Sequence, residues 1–203
     1  MATILHIDSS PRGDRSLSRQ LASEFLEGWQ KANPDDTIVY RDLGHEPVPH
    51  VTEAWVEGAF NPPERRSAAA TEAMAVSDAL VDELLAADRL VISAPMFNLH
   101  IPSTLKAYID QIVRVNRTFT MDMQGLVQGK KLLVITARGN VYHEGAPFAA
   151  YDFQEPYLRA IFGFIGFTDI TFVNCEGSNL GDEARAEGLA TAKQQVSGLV
   201  SNW

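Results

Sequence analysis

Five short apolar runs, each rich in branched side chains, alternate along the chain with segments of helical spacing, and that alternation leaves few folds open. The runs are Thr3–Ile7, Thr37–Tyr40, Leu90–Ser93, Leu132–Thr136 and Ile170–Val173. A strand, a helix and a second strand in succession pair in parallel through a right-handed crossover, and repeated crossovers lay helices on the sheet. Leu132-Leu133-Val134-Ile135 is apolar at every position, as a strand covered on both faces is free to be. The expectation is an α/β sandwich: a five-stranded parallel sheet between two layers of helices.

The intervening segments carry the second half of that expectation. Leu17, Leu21, Phe25 and Trp29 recur every four residues, with Ala22 and Leu26 beside them, which is the stripe of a half-buried helix. A second helix is expected around 64–86, with Met74, Val81, Leu84 and Leu85 toward one side. A third opens at Pro102, a favoured first-turn residue, and puts Leu105, Tyr108, Ile109, Ile112 and Val113 on one face. Two more are expected over about 152–163 and 182–200. No repeat, low-complexity tract or linker divides residues 1–203, so one domain is expected. The proline-rich stretch from Glu46 to Pro63, with Trp55 and Phe60, reads as a long excursion. Excursions of that length usually line a site or an interface.

Composition removes several functions. Seventeen Lys and Arg against 26 Asp and Glu give a formal charge of −9, and no basic stripe offers a nucleic acid its footprint. The start, Met-Ala-Thr-Ile-Leu-His-Ile-Asp, lacks the basic and apolar regions of a signal peptide, and no apolar run is long enough to span a bilayer. A cytoplasmic protein with no membrane partner is expected. The lone Cys175 sits in a strand-like run, where a buried inert thiol is the expectation. No Cys or His cluster has metal-ligand spacing. No G-x-S-x-G elbow marks a hydrolase. The third strand ends Ser93-Ala94-Pro95, without the central aspartate of a phosphorylated receiver domain.

What remains is a set of loops at the carboxyl edge of the sheet, where open α/β sheets bind ligands. After strand three, Met96-Phe97-Asn98-Leu99 offers backbone donors, one carboxamide and flat or flexible apolar side chains, a set suited to an aromatic heterocycle. After strand one come four serines, two arginines and Gly13, leading into a helix. Ser16 and Ser18 there either cap the helix or seat a phosphate. The turn has neither dinucleotide nor Walker spacing. After strand four, Ala137-Arg138-Gly139-Asn140 either faces a ring edge with donors or is an exposed polar turn. His143 follows it as a candidate substrate contact, alternatively a surface histidine. Phe119 and Phe162 are core residues or the roof of a flat cavity. A phosphate seat beside a ring clamp describes a mononucleotide cofactor.

At this point the motifs resemble a known family. Ala94-Pro95-Met96-Phe97-Asn98-Leu99 with Leu105-Lys106-Ala107-Tyr108-Ile109-Asp110 resembles the FMN-dependent NADH azoreductases, within the flavodoxin-like quinone reductase superfamily. The likeness continues through Ser9-Ser10-Pro11-Arg12, Ser16-Leu17-Ser18, Gly125–Lys131 and Phe162–Phe167. It implies a flavodoxin-like three-layer sandwich with strand order 2-1-3-4-5. It implies FMN phosphate binding by Ser10, Ser16, Leu17 and Ser18, and ring binding by Met96, Phe97, Asn98 and Leu99, with further contacts from Ala137, Arg138, Gly139 and Asn140. Implied too are a homodimer with the cofactor at its interface, NADH or NADPH as hydride donor, and quinones or aryl azo compounds as acceptors in a ping-pong two-electron transfer. In that reading the flavin carries the chemistry and no side chain is a catalytic nucleophile. The alternative is a flavodoxin-type FMN electron carrier that oxidises no nicotinamide. Asn140 stands where the family often has a second glycine, and Ala137 where it often has a serine.

Overall fold

A computed structural model describes all residues 1–203. Five parallel strands, β1 (Thr3–Asp8), β2 (Thr37–Asp42), β3 (Arg89–Pro95), β4 (Lys131–Ala137) and β5 (Asp169–Cys175), form one sheet in the order β2-β1-β3-β4-β5. Six α-helices accompany them: α1 (Leu17–Ala32), α2 (Glu53–Phe60), α3 (Ala68–Ala86), α4 (Ser103–Ile112), α5 (Gln154–Ile165) and α6 (Asp182–Leu199). The sheet and its order agree with the flavodoxin-like expectation.

The strands bury side chains on both faces because successive residues point to opposite sides. Leu5, Ile7, Leu90, Ile92, Leu132 and Val134 enter a core closed by α3, α4 and α5. Their neighbours Ile4, Val91, Leu133 and Ile135 enter a second core under α1 and α6. This explains why the central strands read as unbroken apolar runs, while edge strand β2 is only half buried. The α1 stripe behaves as its spacing predicts: Leu21 and Phe25 are fully buried, and Phe25 meets Trp203 edge-on at 5.3 Å. Burying a side chain such as Phe25 is worth roughly 1.5–3 kcal/mol.

The excursion from Glu46 to Pro63 differs from the expectation, because it contains α2. Thr52 caps this helix by accepting from Trp55 N at 3.2 Å. Gly58 lies against α3, where a Cβ would stand 2.5 Å from Met74 Cγ. Gln111 on α4 then pins the segment: its Oε1 accepts from Trp55 Nε1 at 2.8 Å, and its Nε2 donates to Pro49 O at 2.9 Å. Eight residues between proline clusters are too few for a periodic signal, so the helix was legible only through its Thr52 cap.

Candidate functional site

The chain leaves β1 toward one edge of the sheet, and after β2 it returns to place β3 on the other side of β1. The strand order therefore reverses between β1 and β3, and a crevice opens outside their carboxyl ends. Four loops meet there around a cavity of about 220 Å³. Ser10, Arg12, Ser16 and Leu17 line it from the first turn, and Pro95, Met96 and Phe97 from the second. Ala137 and Gly139 come from the third, and Ser178 and Asn179 from a fourth turn after β5. Arg185, in the first turn and a half of α6, completes the wall.

The first turn decides between helix cap and anion seat. Ser16 stands at the N-cap position of α1, yet its hydroxyl makes no capping bond. It lies instead 3.2 Å from Ser18 Oγ. The first N–H groups of α1, on Leu17 and Ser18, have no partner within the helix, so they and the cluster of buried hydroxyls on Ser10, Ser16 and Ser18 are free to receive an anion. The electrostatics agree. In a chain of charge −9, the cavity wall carries two arginines and no carboxylate.

The second turn is a tight hairpin. Phe97 N donates to His100 O at 2.9 Å, and His100 N donates back to Phe97 O at 3.0 Å. The two residues between them, Asn98 and Leu99, both take positive φ, 49° and 68°. Asparagine tolerates that conformation, whereas leucine adopts it only under strain. The hairpin projects Phe97 and Asn98 into solvent at the cavity mouth, and Leu99 O is held from behind by Phe153 N at 3.3 Å.

In the third turn Gly139 packs closely on the fourth: a Cβ there would lie 2.6 Å from Asn179 Nδ2. Asn179 N donates to Gly139 O, Ser178 N to Arg138 O, and Gly177 N to Asn140 O. These three bonds occupy the carbonyls of residues 138–140 and tie the third turn to the fourth. The Arg138 side chain departs from the expectation that it faces a ligand. It is 1% exposed and lies beneath the loop, with Nη1 2.9 Å from Asp152 and 3.5 Å from Glu176, and Nη2 3.6 Å from Glu155. Three carboxylates draw it inward, so its contribution is to brace the turn.

Three other candidates stand away from the cavity. Phe162 falls on the buried stripe of α5 with Leu158 and Ile165 and meets Phe167 edge-on at 5.6 Å, so it is core. Phe119 packs against Phe164 with the rings tilted and their centroids 4.8 Å apart. His143 is exposed and its Nδ1 faces Glu144 O at 2.9 Å, beside a separate groove containing Asp152 and Arg159. Ser18, Asn98, Leu99 and Asn140 belong to the four-loop cluster without lining the cavity itself. Sequence reasoning did not assign Arg12 and Pro95, which lie within the motifs it named, and missed Ser178, Asn179 and Arg185. The signal was present in Glu176-Gly177-Ser178-Asn179-Leu180-Gly181, a turn of Gly, Ser and Asn at the carboxyl end of a strand like the other three.

A larger groove of about 600 Å³ lies on the other side of the first turn, along α1 and β2. Its wall sets Asp8, Asp14 and Glu27 against Arg19 and His6, a lining with more carboxylates than permanent cations, and the Arg19 guanidinium is already bonded to Asp8 and Asp42. The smaller cavity is therefore the candidate site.

A family model described as "Flavodoxin-like fold" matches residues 2–200. The chain belongs to this flavodoxin-like family. Among curated relatives, it is 58% identical to the FMN-dependent NADH:quinone oxidoreductase of Nostoc sp., over all of both chains. It is 47% identical to the protein of that name from Azotobacter vinelandii, over 97% of this chain and 98% of the relative. Among solved structures it superposes on an azoreductase from Bacillus anthracis str. Sterne with a TM-score of 0.92 and 30% identity over all of both chains. A second, titled an FMN-dependent NADH-azoreductase from Bacillus anthracis in complex with FMN, gives 0.89 at 26% identity, covering 98% of each.

Proposed function

We propose that this chain is an FMN-dependent NAD(P)H oxidoreductase that reduces quinones and aromatic azo compounds. The single observation that carries the reading is the anion seat: unpartnered α1 amides, buried serine hydroxyls and two arginines, in a cavity without carboxylates. A phosphate monoester fits such a wall, and Met96 and Phe97 in the same wall offer apolar contact to a ring attached to it. The relatives' names supply the redox class.

FMN, when bound, supplies the hydride chemistry. The residues of this chain orient it. Ser10, Ser16, Leu17 and Ser18 hold the phosphate through hydroxyls and amides, and Arg12 and Arg185 balance its charge. Met96, Phe97, Asn98 and Leu99 grip the ring, with the hairpin fixing their geometry before the ligand arrives. Gly139 and Asn140, whose amides donate to no group of the chain, offer hydrogen bonds to the ring edge, next to the backbone of Ala137 and Arg138. Donors aimed where negative charge develops on reduction favour the reduced state. NADH or NADPH and the acceptor occupy the same open mouth in turn, which suits a ping-pong order.

We further propose that residues 1–203 act as one domain in a cytoplasmic homodimer. Phe60, Met121 and Met123 are 81%, 71% and 64% exposed, and side chains of that kind favour a covering partner. No helix is long and apolar enough to cross a membrane.

The test is a steady-state assay with the purified chain, FMN, NADH and a soluble quinone. Sustained NADH oxidation that depends on both FMN and quinone is expected. FMN binding without nicotinamide oxidation would replace the enzyme with a flavodoxin-type electron carrier.

A further inference from the structure

Arg19 is the third residue of α1, directly behind the loop that follows β1, and its side chain is only 10% exposed. Its Nε donates to Ser10 O at 2.9 Å and its Nη2 to the same oxygen at 2.6 Å. Nη1 donates to Asp8 Oδ2 at 3.0 Å, Tyr40 OH at 2.9 Å and Asp42 Oδ2 at 2.8 Å, and Nη2 also reaches Asp42 Oδ1. A guanidinium has five N–H groups, and these contacts use them all. Arg19 therefore has nothing left to offer a phosphate, and it lines the groove on the far side of the turn rather than the cavity.

We propose that Arg19 is a positioning residue for the phosphate seat, holding the Ser10 carbonyl away from the bound anion and offsetting part of the charge of the two carboxylates behind it. The inference rests on the FMN reading above and deepens it. Two features give it physical content. The first is direction. Ser10 has both its hydroxyl and its carbonyl to place, and a carbonyl oxygen facing the cavity would repel a dianion. The bidentate guanidinium fixes that oxygen on the opposite side. Gly44 closes over it, since a Cβ at residue 44 would stand 2.2 Å from Ser10 O, so the arrangement leaves no room for a side chain there.

The second feature is charge. Asp8 and Asp42 sit at the carboxyl ends of β1 and β2, next to the seat. Asp8 is 4% exposed, so solvent screens it little. His6 Nε2 lies 3.2 Å from Asp8 and His45 Nδ1 2.8 Å from Asp42, but Arg19 is the one group that touches both carboxylates and carries a permanent charge. Lysine can replace it only in part, because an ammonium keeps the charge but cannot span a carbonyl and two carboxylates in a plane.

The discriminating ligand pair is FMN and riboflavin, which share a ring and differ in the phosphate. Apo-protein is titrated with each by flavin fluorescence, for the wild type, Arg19→Gln and Arg19→Lys. The expected result is that the wild type prefers FMN strongly, and that Arg19→Gln weakens FMN by at least roughly tenfold while riboflavin binding is unchanged. Arg19→Lys is expected to fall between, and it serves alone if Arg19→Gln does not fold. An equal loss for both flavins means a merely structural residue and overturns the proposal, as does an FMN affinity that does not change. If the wild type itself binds FMN no better than riboflavin, the phosphate seat fails and the role of Arg19 falls with it.

Discussion

Ser16 is where residue chemistry separates two accounts of the same motif. A serine that caps a helix costs about 1 kcal/mol when replaced by alanine. Here the hydroxyl leaves the cap unmade and turns toward Ser18. Ser16→Ala is therefore expected to leave the apo-protein's melting temperature nearly unchanged, while weakening FMN binding by roughly tenfold, about one charge-assisted hydrogen bond. Calorimetry and a flavin titration on the same sample check both halves. Asp8 and Asp42 make a second residue-level expectation. Burial pushes the Asp42 carboxyl up, but bonds from Arg19 and His45 outweigh it and hold the group well below its usual range. For Asp8, burial likewise pushes up, and the His6 ring, Ser93 and Tyr40 pull further down. Both folded values lie below the unfolded one of 3.8. Their contribution to stability is complete above that value and is lost as the pH falls below it. Urea midpoints are expected to drop as the pH falls from about 4 toward about 2, and Asp42→Asn should flatten that slope.

At the scale of elements, Phe162 shows how a helix stripe decides between core and cavity roof. Helical phase puts it with Leu158 and Ile165 in the core. Phe162→Ala is expected to cost about 3–5 kcal/mol of stability, read by denaturant unfolding, and a change confined to the KM for quinone would contradict that placement. The strands and long helices were legible because their signals are local: Leu132–Ile135 has no polar break, and Leu17, Leu21 and Phe25 keep one spacing. The serine turn and the Asn98 hairpin were legible for the same reason. Arg138 was misread because its partners Asp152, Glu155 and Glu176 are distant in sequence. No local pattern says that three carboxylates will draw an arginine under its own loop. The strained φ of Leu99 was likewise invisible, since nothing in the letters marks a leucine at 68°.

For the whole molecule, the notable fact is where charge is absent. An acidic chain keeps every carboxylate out of one cavity wall at the reversal of its strand order. At the same scale, Phe60 from the end of α2 and Met121 from the loop after α4 are largely exposed and line one groove. Sedimentation velocity is expected to give twice the chain mass, and Phe60→Asp should yield a monomer with impaired quinone reduction; a wild-type monomer with full turnover would remove the dimer. The most direct test is a crystal structure of the protein grown with FMN. The phosphate is expected within hydrogen-bonding distance of the Leu17 and Ser18 amides, between Arg12 and Arg185, with the ring against Met96 and Phe97. Density for FMN in the groove lined by His6, Asp8 and Tyr40, with the four-loop cavity unfilled, would contradict it.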